Sequence, residues 1–141
     1  MPKLVIFRSQ LSALDQEVIN APDVEVCGFL VGRAVDDDAH VTRVVCGSNI
    51  DYQPDRFAIS PREYNQLAAA LPPGEDVVGI FHSHRGEPLP SPDDLSNMRH
   101  ERFIWLIIGN SRAGRLDELS HAAFTRVGPS IQTLALSIVD T

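Results

Sequence analysis

What most constrains this chain is a series of short apolar runs: LVIF (4–7), VEVCGFLVG (24–32), VVGIFHSH (77–84) and RFIWLIIG (102–109). Runs of this length, rich in Val, Ile and Phe and bounded by Gly, Pro or polar residues, suit buried strands. Helical spacing lies between them. SQLSALDQEVIN (9–20) puts Leu11, Leu14, Val18 and Ile19 on one face and is ended by Pro22. Pro61 opens a second helix through REYNQLAAAL (62–71), stopped by Pro72-Pro73-Gly74. SPDDLSNMRHE (91–101) starts a third. RAVDDDAH (33–40) reads as a polar turn, VTRVVCGS (41–48) as a strand, RFAIS (56–60) as extended and NSRAG (110–114) as a turn. Two further strands fit ELSHAAFTRV (118–127) and SIQTLALSIV (130–139). The expectation is a mixed α/β (α+β) sheet domain with about three helices, not a regular βαβ alternation.

A length of 141 residues suits a single domain over 1–141, with enough chain to bury most of its apolar surface. The net charge of −7 argues against nucleic acid as a partner, because phosphate binding needs a clustered basic surface. Eleven arginines against the single Lys3 fit a GC-rich, bacterial genome. Cys27 and Cys46 are too few for a disulfide framework and lack zinc-ribbon spacing, so both are expected as buried, reduced thiols. No targeting segment and no run of membrane-spanning length is visible, so a cytoplasmic location with no membrane partner is expected. Nothing in the sequence sets an oligomeric state.

The chemistry-bearing stretch is GIFHSHRGEPLPSPDDL (79–95). On a strand, residues i and i+2 share a face, so His82 and His84 can aim two imidazoles at one point. They can equally be two histidines on a polar sheet face. Pro92 disfavours helical geometry at Ser91 and suits the first helical position itself, which makes Ser91 an N-cap, Asp93 N2 and Asp94 N3. That account needs no function. It is also compatible with one, since a carboxylate in the first turn is rigidly held and kept ionised by the helix dipole. Asp93 and Asp94 point roughly 100° apart around a helix, and geometry does not choose between them. Two histidines and a carboxylate would leave a catalytic zinc one open position, and such a site still needs a base. Glu25, inside VEVCGFLVG, is either paired or working there, or faces water from an edge position.

Taken together, these residues resemble the JAMM (MPN) metalloprotease family. Its signature is an early glutamate, often in a Glu-x-Cys-Gly context, then His-x-His, a short loop and Ser-x-x-Asp. EVCG (25–28) and HSHRGEPLPSPDD (82–94) carry that pattern, and NIDYQPDRFAISPRE (49–63) also resembles the family; the likeness runs over residues 5 to 127. The loop between His84 and Ser91, RGEPLP, is one residue shorter than the usual pattern, and Arg85 stands where proline is common. Because Ser-x-x-Asp is intact, the helix and its ligand can shift as a unit.

The resemblance implies a cytidine-deaminase-like MPN fold, a mainly antiparallel curved sheet flanked by helices. It implies zinc bound by His82, His84 and Asp94, with Glu25 as general base and then general acid, and Ser91 supporting the tetrahedral intermediate. The implied activity is amide or isopeptide hydrolysis after the Gly-Gly tail of a ubiquitin-like protein. In a short bacterial-type chain, a ubiquitin-like sulfur-carrier protein is the expected substrate rather than ubiquitin. Two rival readings are a non-catalytic MPN interaction scaffold and a RadC-like protein linked to DNA. The filled ligand set argues against the first and the acidic charge against the second. His40, His100 and His121 show no ligand spacing and are expected to be structural or solvated, and Trp105 to be sheet core.

Overall fold

The structure, a computed structural model, describes residues 3–21, 24–48, 60–84, 86–98, 103–110 and 119–140. Among the described residues, seven strands and three helices follow one another as β1 (Lys3–Phe7), α1 (Arg8–Asn20), β2 (Cys27–Val35), β3 (Asp38–Cys46), α2 (Pro61–Ala70), β4 (Asp76–Ser83), α3 (Pro92–Met98), β5 (Ile104–Asn110), β6 (Leu119–Val127) and β7 (Ser130–Val139). The strands lie in the order β1-β3-β2-β4-β5-β6-β7 and close into a barrel. This corrects the expected curved sheet. Closure comes from β1, which pairs in parallel with both β3 and β7, setting Leu4 opposite Ala39 on one side and Leu136 on the other. A closed sheet leaves no long edge exposed. Antiparallel pairs form between β2 and β3, β2 and β4, β5 and β6, and β6 and β7, while β4 and β5 run parallel. The sheet is therefore mixed and mainly antiparallel.

Several boundaries differ from expectation for local reasons. The turn expected over RAVDDDAH is present but shorter: both strands of the β2–β3 hairpin run into the stretch and only Asp36-Asp37 turns. Asp36 takes the left-handed conformation (φ 55°), which Asp tolerates in a tight hairpin. Arg33, Ala34 and Val35 are solvent-exposed, which is why this end of the hairpin carries a loop-like composition. β2 begins at Cys27, so Val24, Glu25 and Val26 precede the strand. On α1, Leu11, Leu14 and Val18 are buried as expected, but Ile19 is exposed. His40 lies within β3 rather than in a turn. Pro61 does open α2, with Ser60 Oγ accepting from Glu63 N at 3.3 Å. Positions 56–59 of RFAIS and 111–114 of NSRAG, with Arg85 and His100, lie outside the described residues.

Two apolar clusters form among the described residues. One joins Leu11, Leu14 and Val18 of α1 to Leu4, Leu30, Phe81, Leu106 and Ile108 of the strands. The other gathers Met98 of α3 with Trp105, Ile107 and Phe124. β5 thus alternates between them and is buried on both faces, which accounts for the unbroken IWLII run. β4 alternates likewise: Phe81 joins the first cluster, and His82 turns toward the side where Trp105 and α3 pack.

Candidate metal centre

β4 is paired on both sides, with His82 opposite Cys27 of β2 and Ile107 of β5. Such a strand offers a rigid base for ligands. His82 is fully buried and its ring packs edge-on against Trp105, centroids 5.6 Å apart. His84 lies just past the strand end, its backbone N–H donating to Ile108 O at 2.7 Å. The His-x-His spacing does place both rings on one side: their Nε2 atoms are 3.0 Å apart.

The third group comes from α3. Ser91 is its N-cap, and the cap is reciprocal. Asp94 N donates to Ser91 Oγ at 3.1 Å and Ser91 N donates to Asp94 Oδ2 at 2.9 Å. That exchange satisfies two backbone N–H groups and locks the carboxylate rotamer. The same Oδ2 lies 3.1 Å from His82 Nε2 and 2.9 Å from His84 Nε2. Asp94 is buried, whereas Asp93 is exposed. Structural cap and candidate ligand are therefore one residue.

Electrostatics follow from these contacts. Burial opposes charge on Asp94, but hydrogen bonds from His82 and His84 outweigh it and hold the carboxyl well below the usual carboxylate range. Burial dominates at His82 and pushes its pKa down. At His84 burial acts the same way, yet the Asp94 carboxylate prevails and the net shift is upward.

Donor chemistry and spacing both fit a divalent cation. His82, His84 and Asp94 each offer one ligand atom, all mutually within 4.8 Å, and theirs is the group among the described residues that meets this condition. A tetrahedral zinc with donors at about 2.0–2.1 Å holds them roughly 3.3 Å apart, close to the 2.9–3.1 Å contacts seen. Two imidazole lone pairs at such a distance repel unless a proton or a cation stands between them.

Glu25 is buried, at 5% exposure, which excludes the water-facing alternative. Its Oε1 lies 3.8 Å from His84 Nε2. Ser83, between the histidines, was not singled out by the sequence. Its N–H donates to Val26 O at 2.9 Å and its Oγ accepts from Val26 N at 2.8 Å. This two-point clamp fastens the segment next to Glu25 onto β4. A buried serine inside an apolar run was the available signal.

Among the described residues, the remaining candidates stay outside the group formed by His82, His84 and Asp94. His121 Nε2 meets Asp15 Oδ1 at 2.7 Å and ties β6 to α1. Cys27 is buried, and burial with the charges of Glu63 and Glu25 pushes its thiol up to about 12. Cys46 is exposed, correcting the expectation that both thiols are buried. Trp105 is core, as expected, and also supports the His82 ring.

The family of prokaryotic homologs of the JAB domain matches residues 8–123. The chain belongs to that JAB (JAMM/MPN) family. A desampylase of Pyrococcus furiosus is 37% identical over 107 residues, 74% of this chain and 73% of that one. A desampylase of Haloferax volcanii is 33% identical over 103 residues, covering 70% and 72%. For the fold, a JAB1/MPN domain protein from Archaeoglobus fulgidus superposes with a TM-score of 0.60 at 21% identity, over 95% of this chain and 97% of that one. No helix among the described residues is long and apolar enough to cross a membrane.

Proposed function

We propose that this JAB-family protein is a metal-dependent hydrolase that cleaves an amide or isopeptide bond following the C-terminal tail of a ubiquitin-like protein. The observation that carries the reading is the meeting of His82, His84 and Asp94 at 2.9–3.1 Å beside a buried Glu25. A divalent cation held there, with zinc the expected ion, would supply Lewis acidity toward a carbonyl and lower the pKa of water. Glu25 accepts a proton from the attacking water and returns it to the leaving amine. Its burial removes bulk water and strengthens that exchange. Ser91 Oγ accepts from Asp94 N, so its own proton is available to donate to the carbonyl oxygen as charge builds on it. The name desampylase carried by both relatives, a name for removing a ubiquitin-like modifier, supports this substrate class. A sulfur-carrier protein of that fold is the substrate proposed for this chain.

The test is release of a fusion partner from the tail of a sulfur-carrier protein by purified protein with its metal content measured. Cleavage should stop on adding a chelator. Glu25→Gln should keep full metal content and lose hydrolysis by on the order of 10²–10⁴-fold. If Glu25→Gln instead cleaves at the unmodified rate, Glu25 is not the base, and metal binding without any cleavage favours a scaffold role.

A further inference from the structure

Among the described residues, α2 is the helix with no buried side chain. Apolar burial therefore does little to hold it, and two contacts at its start fasten it instead. The Glu63 carboxylate accepts from Ser48 N through both oxygens, at 3.0 and 3.2 Å. Next along the helix, the Tyr64 ring meets Phe29 of β2, centroids 6.2 Å apart, and Phe103 at 5.6 Å. Glu63 N donates to Ser60 Oγ, so the cap is complete without the carboxylate. The Glu63 side chain serves the sheet, not its own helix.

Behind Ser48 lies the segment that carries the base. Gly47 N, one residue earlier, donates to Cys27 O at 2.9 Å. This bond carries the β2–β3 pairing past Gly28 and Cys46, to the point where Glu25 and Val26 lead into β2. β3 and β4 flank β2 on opposite sides. On the β4 side, Ser83 holds Val26 by two hydrogen bonds. On the β3 side, the Gly47–Cys27 bond is the last of the pairing among the described residues, and Ser48 beyond it is exposed. A strand end without a further partner frays. The Glu63 carboxylate supplies that partner, and an ionised acceptor makes the stronger kind of hydrogen bond.

We infer that Glu63 is a positioning residue for Glu25: from the first turn of α2 it fixes Ser48, and through the Gly47–Cys27 bond it braces the base segment on the side away from Ser83. The inference rests on the reading of Glu25 as the base, and Glu63 itself meets neither the candidate ligands nor substrate. In Glu63→Ala the exposed Ser48 N–H turns to water, so the chain should still fold. Amide hydrogen exchange in the full-length, chelator-stripped chain should then quicken about tenfold at Gly47 and also at Val26. In the zinc-loaded protein, acting on a sulfur-carrier protein with a partner fused to its tail, kcat should fall about tenfold. KM and zinc affinity should stay as they are. Glu63→Gln keeps an oxygen for Ser48 N and should restore both exchange and kcat, which a charge effect would not allow. In a Glu25→Gln background, Glu63→Ala should lower the residual rate no further, since no base is left to place. Arg62→Ala, exposed on the same turn, is the matched control and should change nothing. Unchanged exchange at Val26 or undiminished kcat in Glu63→Ala overturns the inference. So does failure of Glu63→Gln to restore them, or an equal loss in the Glu25→Gln background. An unmodified chain that binds zinc and never cleaves overturns the reading of Glu25 instead, and exchange at Val26 still decides whether Glu63 braces its segment.

Discussion

Asp94 shows how one side chain serves fold and site together. Its Oδ2 accepts from Ser91 N and faces both imidazoles, so the two roles can be separated only by a change that keeps shape and removes charge. Asp94→Asn retains an acceptor for the cap and should cost no more than about 1 kcal/mol of stability. It gives up the anionic ligand, and zinc affinity should fall by far more than the roughly tenfold to hundredfold loss expected on removing an outer hydrogen bond. Urea unfolding and zinc titration on the same preparation measure both. Equal losses in the two would mean that Asp94 matters only as a helix cap. Glu25 is the second instructive residue. Burying a carboxylate is costly, and a position whose only task was packing would favour an apolar side chain.

At the scale of elements, the centre is an assembly of three ends: the segment entering β2, the end of β4 and the start of α3. Ser83 joins the first two. Removing its hydroxyl leaves Val26 N without that acceptor, at a cost of about 1–3 kcal/mol, and loosens the segment carrying Glu25. Ser83→Ala should therefore lower the turnover rate by about tenfold or more, as expected for a misplaced base, while zinc affinity changes little. Ser83→Thr keeps the hydroxyl and should restore turnover. Parallel loss of zinc and turnover in Ser83→Ala would assign the serine to His82 and His84 instead of Glu25.

For the whole molecule, a cation held by the candidate ligands of β4 and α3 would couple metal binding to folding, because the unfolded chain has no such convergent set. Zinc at about a hundred times its dissociation constant should raise the unfolding free energy by about 2.7 kcal/mol. Thermal unfolding with and without chelator reads this directly. The stabilisation should vanish in His82→Ala, and its survival there would place the ion elsewhere. Barrel closure supports the centre indirectly: β4 and β5 are central strands whose positions are fixed by neighbours on both sides.

The amino-acid sequence by itself determined the elements whose signals are local. Pro61 and Pro92 open their helices, Leu11, Leu14 and Val18 mark the buried face of α1, and HSHRGEPLPSPDD with EVCG names the candidate ligands and base. The helix starts and the buried face depend on capping or period within a few residues, whereas the ligands and base are named by the family resemblance. Only the tertiary structure decided what depends on partners far along the chain. It closed the sheet by setting β1 against β7, buried Glu25, set the Asp94 carboxylate that the family resemblance names within 3.1 Å of both histidines, and brought Ser83 to Val26 and Gly109 to the Glu87 loop. Those contacts join residues whose separation carries no periodic signature, so no local pattern can announce them.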